Sequence, residues 1–512
     1  MKNHKAPGED LITAELIKYG GNTLHTQIHM LIGQIWDEEK IPTEWNRAII
    51  TPIHKKGSKL QCANYRGISL LNVTYKLLTK LISKRLEKYT ESILGDYQCG
   101  FRQNRSTTDH IFTLRCILEK CHEYNIPIHQ LYVDYKMAYD SIKRKFLYET
   151  LQEFGIPNKI IRLVHMTLNK SKSKIKIQGE YSREFEIRRG LRQGDSLSCI
   201  LFNITLERVI RNIHINTRET ITRYFLRDNE HQQTTGTIYN QPIQYLAYAD
   251  DIALIGKSKK DITQSFIELE DASIKAGLEI NTQKTKYMYT STSKEEAQTE
   301  SVIKVRNHNF EKVNNFKYLG ATITEHNEIL AEIKERITAG NKAYYSSYNM
   351  LKNKNISRKT KKNIYKTIIR PVVTYGSETW TLTKSAETVL NTWERKVLRK
   401  IFGPTKDENG WRMRTNKEVY DLYKDPTIVA EIKKSRLRWS GHLERMANNR
   451  AAKVVYAHDP RGKRPKGKPR LRWSDDVQSD LQLMGVQAWK KKARDRSQWK
   501  DVVRQAGALH GL

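Results

Sequence analysis

Cysteine is scarce in this sequence, since 512 residues contain only five, at positions 62, 99, 116, 121 and 199. No two of them form a CxxC pair, which argues against a disulfide framework and against a zinc site. Long apolar runs are also missing, and the first residues lack the hydrophobic segment of a signal peptide. We therefore expect an intracellular protein of the nucleus or cytoplasm, neither secreted nor bound to a membrane.

Acidic residues are few relative to basic ones, with 56 Asp and Glu against 90 Lys and Arg and a net charge of +34. The excess is uneven, because residues 341–512 contain 40 Lys and Arg against 16 Asp and Glu and so carry +24 of it. Solubility alone does not require a single-sign excess of this size. It implies a polyanionic partner, most simply nucleic acid.

The stretch Tyr245–Ile255 is predicted to form two short apolar strands joined by an acidic turn. The turn holds Asp250 and Asp251, whose charges repel each other and are costly beside buried strands unless a cation neutralises them. Hard carboxylate oxygens of this kind suit Mg²⁺. On these residues alone, a solvated Asp-Asp turn is an equal alternative.

Another predicted strand, His129–Val133, leads directly into Asp134, and a helix is predicted to start near Ser141. An aspartate at the end of a core strand either binds a cation or caps the next helix. Asp140 immediately precedes the predicted helix and fits the capping role better. Asp134 is therefore the candidate for a third carboxylate of a metal site.

The segments before these carboxylates are basic or rich in glycine. Glu44–Gly57 and Asn64–Leu71 are predicted strands around a basic turn, which either covers phosphates or is a solvated edge. Arg189–Ser198 is a loop flanked by glycines that opens a helix. Helix N-termini bind anions, and glycines allow close approach of the backbone to a ligand.

Helical patterns dominate the rest of the chain. Ser106 or Thr107 is predicted to cap one helix, Gly277 to end another, and the pattern is helical from about Glu325 onward. Trp380 and Trp393 are interpreted as core residues of these helices. The basic run 461–470 is predicted to be an extended arm that follows phosphates or acts as a nuclear address, with a solvated linker as the alternative.

Taken in order, these motifs resemble those of non-LTR (LINE-type) retrotransposon reverse transcriptases. Asp134–Asp140 is similar to the first palm motif, Arg192–Ser198 to the loop that contacts template and nucleotide, and Tyr248–Asp251 to the catalytic box. Gly277–Thr285 and Phe316–Thr322 resemble the next motif and the hairpin at the end of the palm.

Upstream, Asn64–Leu70 is similar to the fingers motif of this family, with Gly67 where proline is commoner, and Lys5–Gly8 resembles the element before it. The resemblance covers about residues 5–324. Because the chain begins almost on that first element, the expectation is a truncated element without the upstream endonuclease domain. No zinc knuckle or RNase H constellation is recognised in the sequence.

The resemblance implies an α+β right-hand polymerase with fingers, a ferredoxin-like palm and a helical thumb. The expected domains are the fingers with an N-terminal extension (1–125), the palm with the catalytic hairpin (126–325), the thumb (326–405) and a basic helical extension that binds nucleic acid (406–512). The reverse transcriptase domain is expected to cover about residues 40–325.

The resemblance also implies RNA-directed DNA synthesis by two-metal nucleotidyl transfer, with two Mg²⁺ ions and Mn²⁺ as an alternative. Asp134, Asp250 and Asp251 are the expected catalytic carboxylates, and the backbone carbonyl of Tyr135 is an additional expected metal ligand. The expected nucleotide contacts are Lys55 (or Lys56), Arg66, Tyr139, Gln193, Gly194 and Lys284. Tyr139 corresponds to the aromatic residue that excludes a 2′-hydroxyl, although a role in the palm core alone is the alternative.

The expected partners are an RNA template, a DNA primer or target DNA, and dNTPs, with no membrane. The candidate contacts to nucleic acid are Arg102, Arg105, Arg192, Arg436, Arg438, Lys463, Arg464, Lys466, Lys468 and Arg470. The competing hypothesis is a catalytically inactive, retroelement-derived protein that binds nucleic acid. Oligomeric state, template and insertion site are left open by the sequence.

Overall fold

A computed structural model of the chain describes residues 1–55, 57–213, 243–291, 301–460, 464–467 and 471–508. Lys56, Lys463, Lys468 and Arg470, which the sequence analysis singled out, lie outside the described residues. The strands are concentrated before residue 325 and helices dominate after it, and this mixture of helices and sheets confirms the expected α+β class.

The described strands are β1 (Arg47–His54), β2 (Tyr65–Leu70), β3 (Ile128–Val133), β4 (Tyr135–Lys136), β5 (Lys172–Ile177), β6 (Glu180–Tyr181), β7 (Phe185–Glu186), β8 (Tyr245–Tyr248), β9 (Asp251–Gly256), β10 (Glu279–Ile280), β11 (Lys286–Thr290), β12 (Val302–Val305), β13 (His308–Glu311), β14 (Asn315–Tyr318), β15 (Ala321–Thr324), β16 (Thr405–Asp407) and β17 (Gly410–Arg412).

The described α-helices are α1 (Ala14–Tyr19), α2 (Gly21–Glu38), α3 (Val73–Ile93), α4 (Thr107–Glu123), α5 (Ala138–Ser141), α6 (Arg144–Glu153), α7 (Asn158–Leu168), α8 (Ser196–Arg211), α9 (Lys259–Ala276), α10 (Ile329–Ser346), α11 (Tyr348–Lys352), α12 (Arg358–Ile364), α13 (Arg370–Val373), α14 (Lys384–Phe402), α15 (Asn416–Tyr423), α16 (Ile428–Glu444), α17 (Ala451–Ala457), α18 (Trp473–Leu483), α19 (Trp489–Arg494) and α20 (Arg496–Ala508). A π-helical turn, Tyr365–Ile369, joins α12 to α13.

Two sheets position the motifs that the sequence analysis identified. In the N-terminal sheet, β1 pairs antiparallel with β2 and parallel with β5, to which β6 and β7 are added. In the central sheet the strand order is β11-β3-β9-β8, and all neighbours are antiparallel. The central sheet carries both predicted acidic segments.

The central sheet is covered on both faces. Successive residues of a strand point to opposite faces of the sheet, so neighbouring residues contribute to different cores. Residues such as Leu131, Val133 and Leu254 belong to a core shared with α3 and α6 to α9. Their neighbours, such as Tyr132 and Ala253, belong to a second core shared with α4 and helices α16 to α20. The C-terminal helices therefore share a hydrophobic core with the back of the central sheet.

A third core lies within the helices that follow the hairpin β14–β15. It runs from Ile329 to Ile432 and includes Trp380 and Trp393, which confirms their interpretation as core residues. This core crosses residue 405, and the boundary between thumb and extension at that residue stays a proposal. Within the described part of the chain, no helix combines the length and the apolar character that crossing a membrane requires.

Helix ends follow the local sequence in two predicted cases and depart from it in a third. Ser106 is the N-cap of α4, where the Asp109 carboxylate accepts its backbone N–H at 2.8 Å, and Gly277 ends α9 with φ of 89°. The capping role predicted for Asp140 is wrong. Asp140 lies inside the short helix α5, and Lys143 is the N-cap of the following helix α6.

Candidate active site

Three carboxylates meet at one end of the central sheet. Val133, the last residue of β3, pairs with Ile252 of β9. Asp134 follows Val133 and Asp251 precedes Ile252, so both aspartates lie at the same end of this antiparallel pair. Tyr248 pairs with Asp251 across the hairpin, which leaves Ala249 and Asp250 as its two turn residues. Strand register thus brings together residues that are more than a hundred positions apart in the sequence.

The hairpin turn has an unusual backbone that the neighbouring loop supports. Ala249 adopts φ of 56°, a left-handed conformation that costs free energy for any residue with a Cβ. Its backbone N–H donates to Oε1 of Gln98 at 2.9 Å, and Ala247 exchanges backbone hydrogen bonds with Tyr97 and Cys99. The turn that presents Asp250 is therefore held from the loop before α4.

Burial and mutual repulsion raise the pKa values of two of these carboxylates. Burial raises the pKa of Asp250, and the negative charge of Asp134 raises it further. The positive charge of Arg66 acts in the opposite direction and lowers this pKa. Partial burial, followed by the charges of Asp250 and Asp134, raises the pKa of Asp251 to about 6. Burial and like-charge repulsion both disfavour ionised carboxylates, so a cation bound here would stabilise their charged forms.

Asp134 is held by its backbone and by one lysine. Its N–H donates to Oγ1 of Thr285 at 3.3 Å, and its carbonyl accepts the N–H of Asn281 at 2.7 Å. Nζ of Lys284 lies 3.1 Å from Oδ2 of Asp134. The motif that contains Asn281, Lys284 and Thr285 thus supports Asp134 directly.

The donor chemistry fits a divalent cation of the hard type. Asp134, Asp250 and Asp251 offer carboxylate oxygens, the donors that such an ion prefers, and the ammonium of Lys284 already lies beside Asp134. No group of three or more His, Cys, Asp or Glu side chains in the described residues is gathered as a ready-formed metal site. Binding would therefore require the ammonium of Lys284 to move away from Asp134.

Two basic side chains at the N-terminal sheet act electrostatically on the carboxylates. Arg66, on β2, is exposed, and its positive charge acts to lower the pKa of both Asp250 and Asp251. Lys55 follows β1, and its pKa is lowered by partial burial and by the charges of Arg66 and Lys284. Mutually repelling cations beside a carboxylate cluster form an arrangement suited to a phosphate ligand.

The glycine-flanked loop contacts strand β2 of the N-terminal sheet and the short helix α5. The carbonyl of Gln193 accepts the N–H of Ser69 at 2.8 Å, and its side chain donates to Oδ2 of Asp140 at 3.1 Å. Gly194 has φ of 116°, and a Cβ there would lie 2.8 Å from the carbonyl oxygen of Ser69. Gly194 therefore permits a close approach between this loop and strand β2.

Two tyrosines follow Asp134. The ring of Tyr139 stacks on Phe202 of α8, with centroids 4.6 Å apart and planes 22° apart. Tyr139 is only partly buried, so a packing role and a ligand role are compatible. The side chain of Tyr135 is buried, with its hydroxyl 2.8 Å from Oγ of Ser273. The role predicted for the Tyr135 carbonyl stays a prediction.

A cavity of about 500 Å³ adjoins the carboxylates on the side of β14. Asp134 and Asp251 line this cavity together with Phe316 of the hairpin β14–β15. Its remaining charged residues are three lysines, Lys284, Lys286 and Lys317. The hairpin Phe316–Thr322 thus faces the carboxylates across a basic cavity.

Four of the arginines predicted to contact nucleic acid are bound within the protein, and three of them, Arg102, Arg192 and Arg436, are buried. Arg102 donates to the carbonyls of Leu94, Gly95 and Gln98, and Arg105 pairs with Asp96 at 2.6 Å. Arg192 donates to the carbonyls of Trp45 and Asn46. Arg436 pairs with Asp476 and Asp480 while it is 1% exposed. Internal acceptors already occupy these guanidinium groups, and the predicted contacts of these four arginines with nucleic acid stay predictions.

Three other predicted contacts remain accessible. Arg438 is exposed on α16, and no ion pair or hydrogen bond of its side chain is found among the described residues. Lys466 is also exposed, whereas Arg464 pairs with Glu123 of α4 at 2.7 Å. The part of the basic run that the structure describes, Arg464–Gly467, therefore lies against the protein at this point.

Sequence reasoning missed two buried amides beside the hairpin, Gln98 and Asn203. Asn203, on α8, donates to the carbonyl of Gly100 at 2.7 Å, and Gln98 accepts from both Gly100 and Ala249. A buried amide has no periodic or compositional signal in a sequence. The only available hint was Gly100, at a position where a Cβ would lie 2.3 Å from the backbone nitrogen of Ala249.

Comparison with known proteins agrees with this geometry. Residues 53–323 match the family model described as reverse transcriptase (RNA-dependent DNA polymerase). The chain is 23% identical over 477 residues to the "Probable RNA-directed DNA polymerase from transposon X-element" of Drosophila melanogaster, covering 90% of this chain and 48% of that protein. It is 24% identical over 482 residues to the "RNA-directed DNA polymerase from mobile element jockey" of the same species, covering 89% and 48%.

The chain thus spans about half the length of these two relatives. Among solved structures, apo telomerase from Candida tropicalis is similar over 94% of this chain and 74% of that one, with 11% identity and a TM-score of 0.41.

Proposed function

The chain belongs to the reverse transcriptase (RNA-dependent DNA polymerase) family, and from this premise we propose that it copies the RNA of a non-LTR retrotransposon into DNA. The observation that carries the proposal is the meeting of Asp134, Asp250 and Asp251 at one sheet end, opposite Arg66 and Lys55. Carboxylates facing cations across a gap are the arrangement that nucleotidyl transfer from a triphosphate needs.

Asp134 and Asp250 would hold two divalent cations, with Asp251 and the carbonyl of Tyr135 as further oxygen donors. When bound, Mg²⁺ or Mn²⁺ would lower the pKa of the primer 3′-hydroxyl and neutralise charge on the triphosphate. Lys284, displaced from Asp134, would lie close to the leaving pyrophosphate. The support for these roles is the oxygen chemistry of the site and its raised pKa values.

The incoming nucleotide would lie between the two sheets. Arg66 and Lys55 would pair with its phosphates, and Gln193 and Gly194 would line the nascent base pair. Tyr139, held against Phe202, would lie under the sugar and exclude a 2′-hydroxyl. Support for these positions comes from the hydrogen bond between Gln193 and Asp140 and from the close contact of Gly194 with Ser69.

The partners of this reaction would be an RNA template, a DNA primer or target DNA, and dNTPs. The basic cavity beside Asp134 would receive the primer end, since Lys286 and Lys317 line it. Arg438 and Lys466 would contact the nucleic-acid backbone, because both are exposed and basic. Contacts of this kind position a substrate without reading its sequence.

Primer extension on an annealed RNA template with dNTPs and Mg²⁺ tests the proposal. The wild type should extend the primer, and Asp250→Asn should lose extension while its affinity for the RNA–DNA hybrid changes by less than about twofold. Asp421→Asn, an exposed carboxylate on α15, is the matched control and should extend normally. Absence of extension by the wild type, with salt-sensitive hybrid binding retained, would favour an inactive nucleic-acid-binding protein.

A further inference from the structure

We propose that Gln98 is a positioning residue for the catalytic hairpin: its side-chain oxygen sets the backbone of the turn that presents Asp250. This inference rests on the polymerase function proposed above and adds a residue that does not itself touch substrate or metal. Gln98 is 1% exposed and lies in the loop between α3 and α4, about 150 positions before the turn it contacts.

The contact is specific in its geometry. Oε1 of Gln98 accepts two backbone N–H groups, from Gly100 at 2.8 Å and from Ala249 at 2.9 Å. Ala249 is the left-handed residue of the turn and directly precedes Asp250. Since a strained backbone conformation persists only where its surroundings hold it, the acceptor on Gln98 stabilises the conformation that aims the Asp250 side chain.

The loop around Gln98 is itself attached to both neighbours. Backbone hydrogen bonds from Ala247 to Tyr97 and from Cys99 to Ala247, each 2.9 Å, align the loop along strand β8. On the other side, Asn203 of α8 donates to the carbonyl of Gly100 at 2.7 Å. Helix α8 begins at the loop that contains Gln193 and Gly194. The loop around Gln98 therefore connects the turn that contains Asp250 to helix α8, which follows the predicted nucleotide-binding loop.

Gly100 makes this arrangement possible. A Cβ on Gly100 would lie 2.3 Å from the nitrogen of Ala249 and 2.9 Å from the carbonyl carbon of Tyr248, both backbone atoms. Only glycine allows the loop backbone to approach the turn so closely. Without the Gln98 acceptor, the N–H groups of Gly100 and Ala249 would be left buried and unpaired, and the turn would shift to satisfy them.

Three variants separate positioning from general stability. Gln98→Met removes the acceptor at similar length, and Gln98→Glu keeps an acceptor oxygen. Gln130→Met is the matched control, because Gln130 is a fully buried glutamine of β3 in the same sheet that bonds Tyr132 and Thr290, away from the turn. If Gln98→Met does not fold, Asn203→Leu removes the support of Gly100 from the other side.

Each variant is measured by single-nucleotide incorporation, by hybrid binding and by amide hydrogen exchange over residues 245–255. We expect Gln98→Met to lower kcat by about 10- to 100-fold, since small displacements of reacting groups have effects of this size. Its hybrid Kd should stay within about twofold of the wild type, and exchange in the turn should accelerate. Gln98→Glu should recover most of the loss, and Gln130→Met should leave kcat and turn exchange unchanged.

The inference is overturned if Gln98→Met leaves turn exchange unchanged, or if Gln130→Met lowers kcat as much as Gln98→Met does. Failure of the proposed function has a different signature. In that case the wild type does not extend primers, whereas the exchange comparison of Gln98→Met with Gln130→Met still decides whether Gln98 holds the turn.

Discussion

The ammonium of Lys284 lies 3.1 Å from the Asp134 carboxylate. The lysine therefore pairs with the same carboxylate that the proposed mechanism assigns to a metal ion. Both partners are partly exposed, at 55% and 34%, and an ion pair of this kind contributes less than about 1 kcal/mol. A divalent cation can therefore displace the lysine at little cost. The same displacement would free Lys284 to meet the triphosphate.

We expect Lys284→Met to have opposite effects on metal binding and on turnover. Without the competing ammonium, half-saturation of the nucleotide-free protein by Mn²⁺ should require about three- to fivefold less metal, while kcat should fall about tenfold. Electron paramagnetic resonance titration and single-nucleotide incorporation measure the two effects. Lys304→Met, an exposed lysine of β12, should change neither, and weaker Mn²⁺ binding by Lys284→Met would refute the displacement.

Replacement of Tyr139 should relax sugar selection. Tyr139→Val removes the ring that stacks on Phe202, and we expect the preference for dNTP over rNTP, as a ratio of kcat/KM values, to fall by about tenfold or more. Tyr139→Phe keeps the ring and should keep the preference. An unchanged ratio in Tyr139→Val would leave Tyr139 a packing residue only.

Two arginines two positions apart on α16 should respond differently to the same substitution. Arg436→Gln leaves Asp476 buried without its ion-pair partner and leaves Asp480 with only the ammonium of Lys433, 3.7 Å away. The free energy of unfolding should therefore fall by about 3–5 kcal/mol. Arg438→Gln should change the free energy of unfolding by less than about 0.5 kcal/mol. It should nevertheless weaken binding of the RNA–DNA hybrid, and the slope of log K for hybrid binding against log salt concentration should become shallower by about 1. Denaturant unfolding and binding titrations at several salt concentrations measure both. Equal destabilisation by the two variants would contradict the assignment.

Docking of the C-terminal helices onto α4 should depend on pH through Glu119. Burial raises the pKa of Glu119 to about 7, although it accepts the N–H of Trp473 at 2.9 Å. Because the folded state holds this proton more tightly than the unfolded state, the contribution of Glu119 to folding becomes unfavourable as pH rises above about 5 and through 7.

Glu119→Gln should therefore stabilise the protein on the order of 1–2 kcal/mol more at pH 8 than at pH 5, as measured by denaturant unfolding at the two pH values. Glu408→Gln, an exposed glutamate between β16 and β17, should show no such difference. A stabilisation by Glu119→Gln that is the same at both pH values would show that the proton is not involved.

Local sequence determined much of this protein. Strand residues ending in Asp134, an Asp-Asp turn between two apolar strands, and a glycine-flanked loop before α8 were all recognisable, because short-range patterns report strands, turns and caps directly. The order of these motifs also predicted the family to which residues 53–323 belong. The three carboxylates could be predicted because a charge at the end of a buried strand is rarely tolerated without a function.

Tertiary structure alone decided which charges are available and what holds the site. Arg436 and Arg438 are alike in the sequence, but only one of them meets carboxylates some 40 positions away in the fold. Gln98 meets Ala249 across about 150 positions, and Arg450 of the C-terminal region pairs with Asp109 at the start of α4. Contacts at such separations depend on how sheets and helices pack, and composition and periodicity carry no information about them.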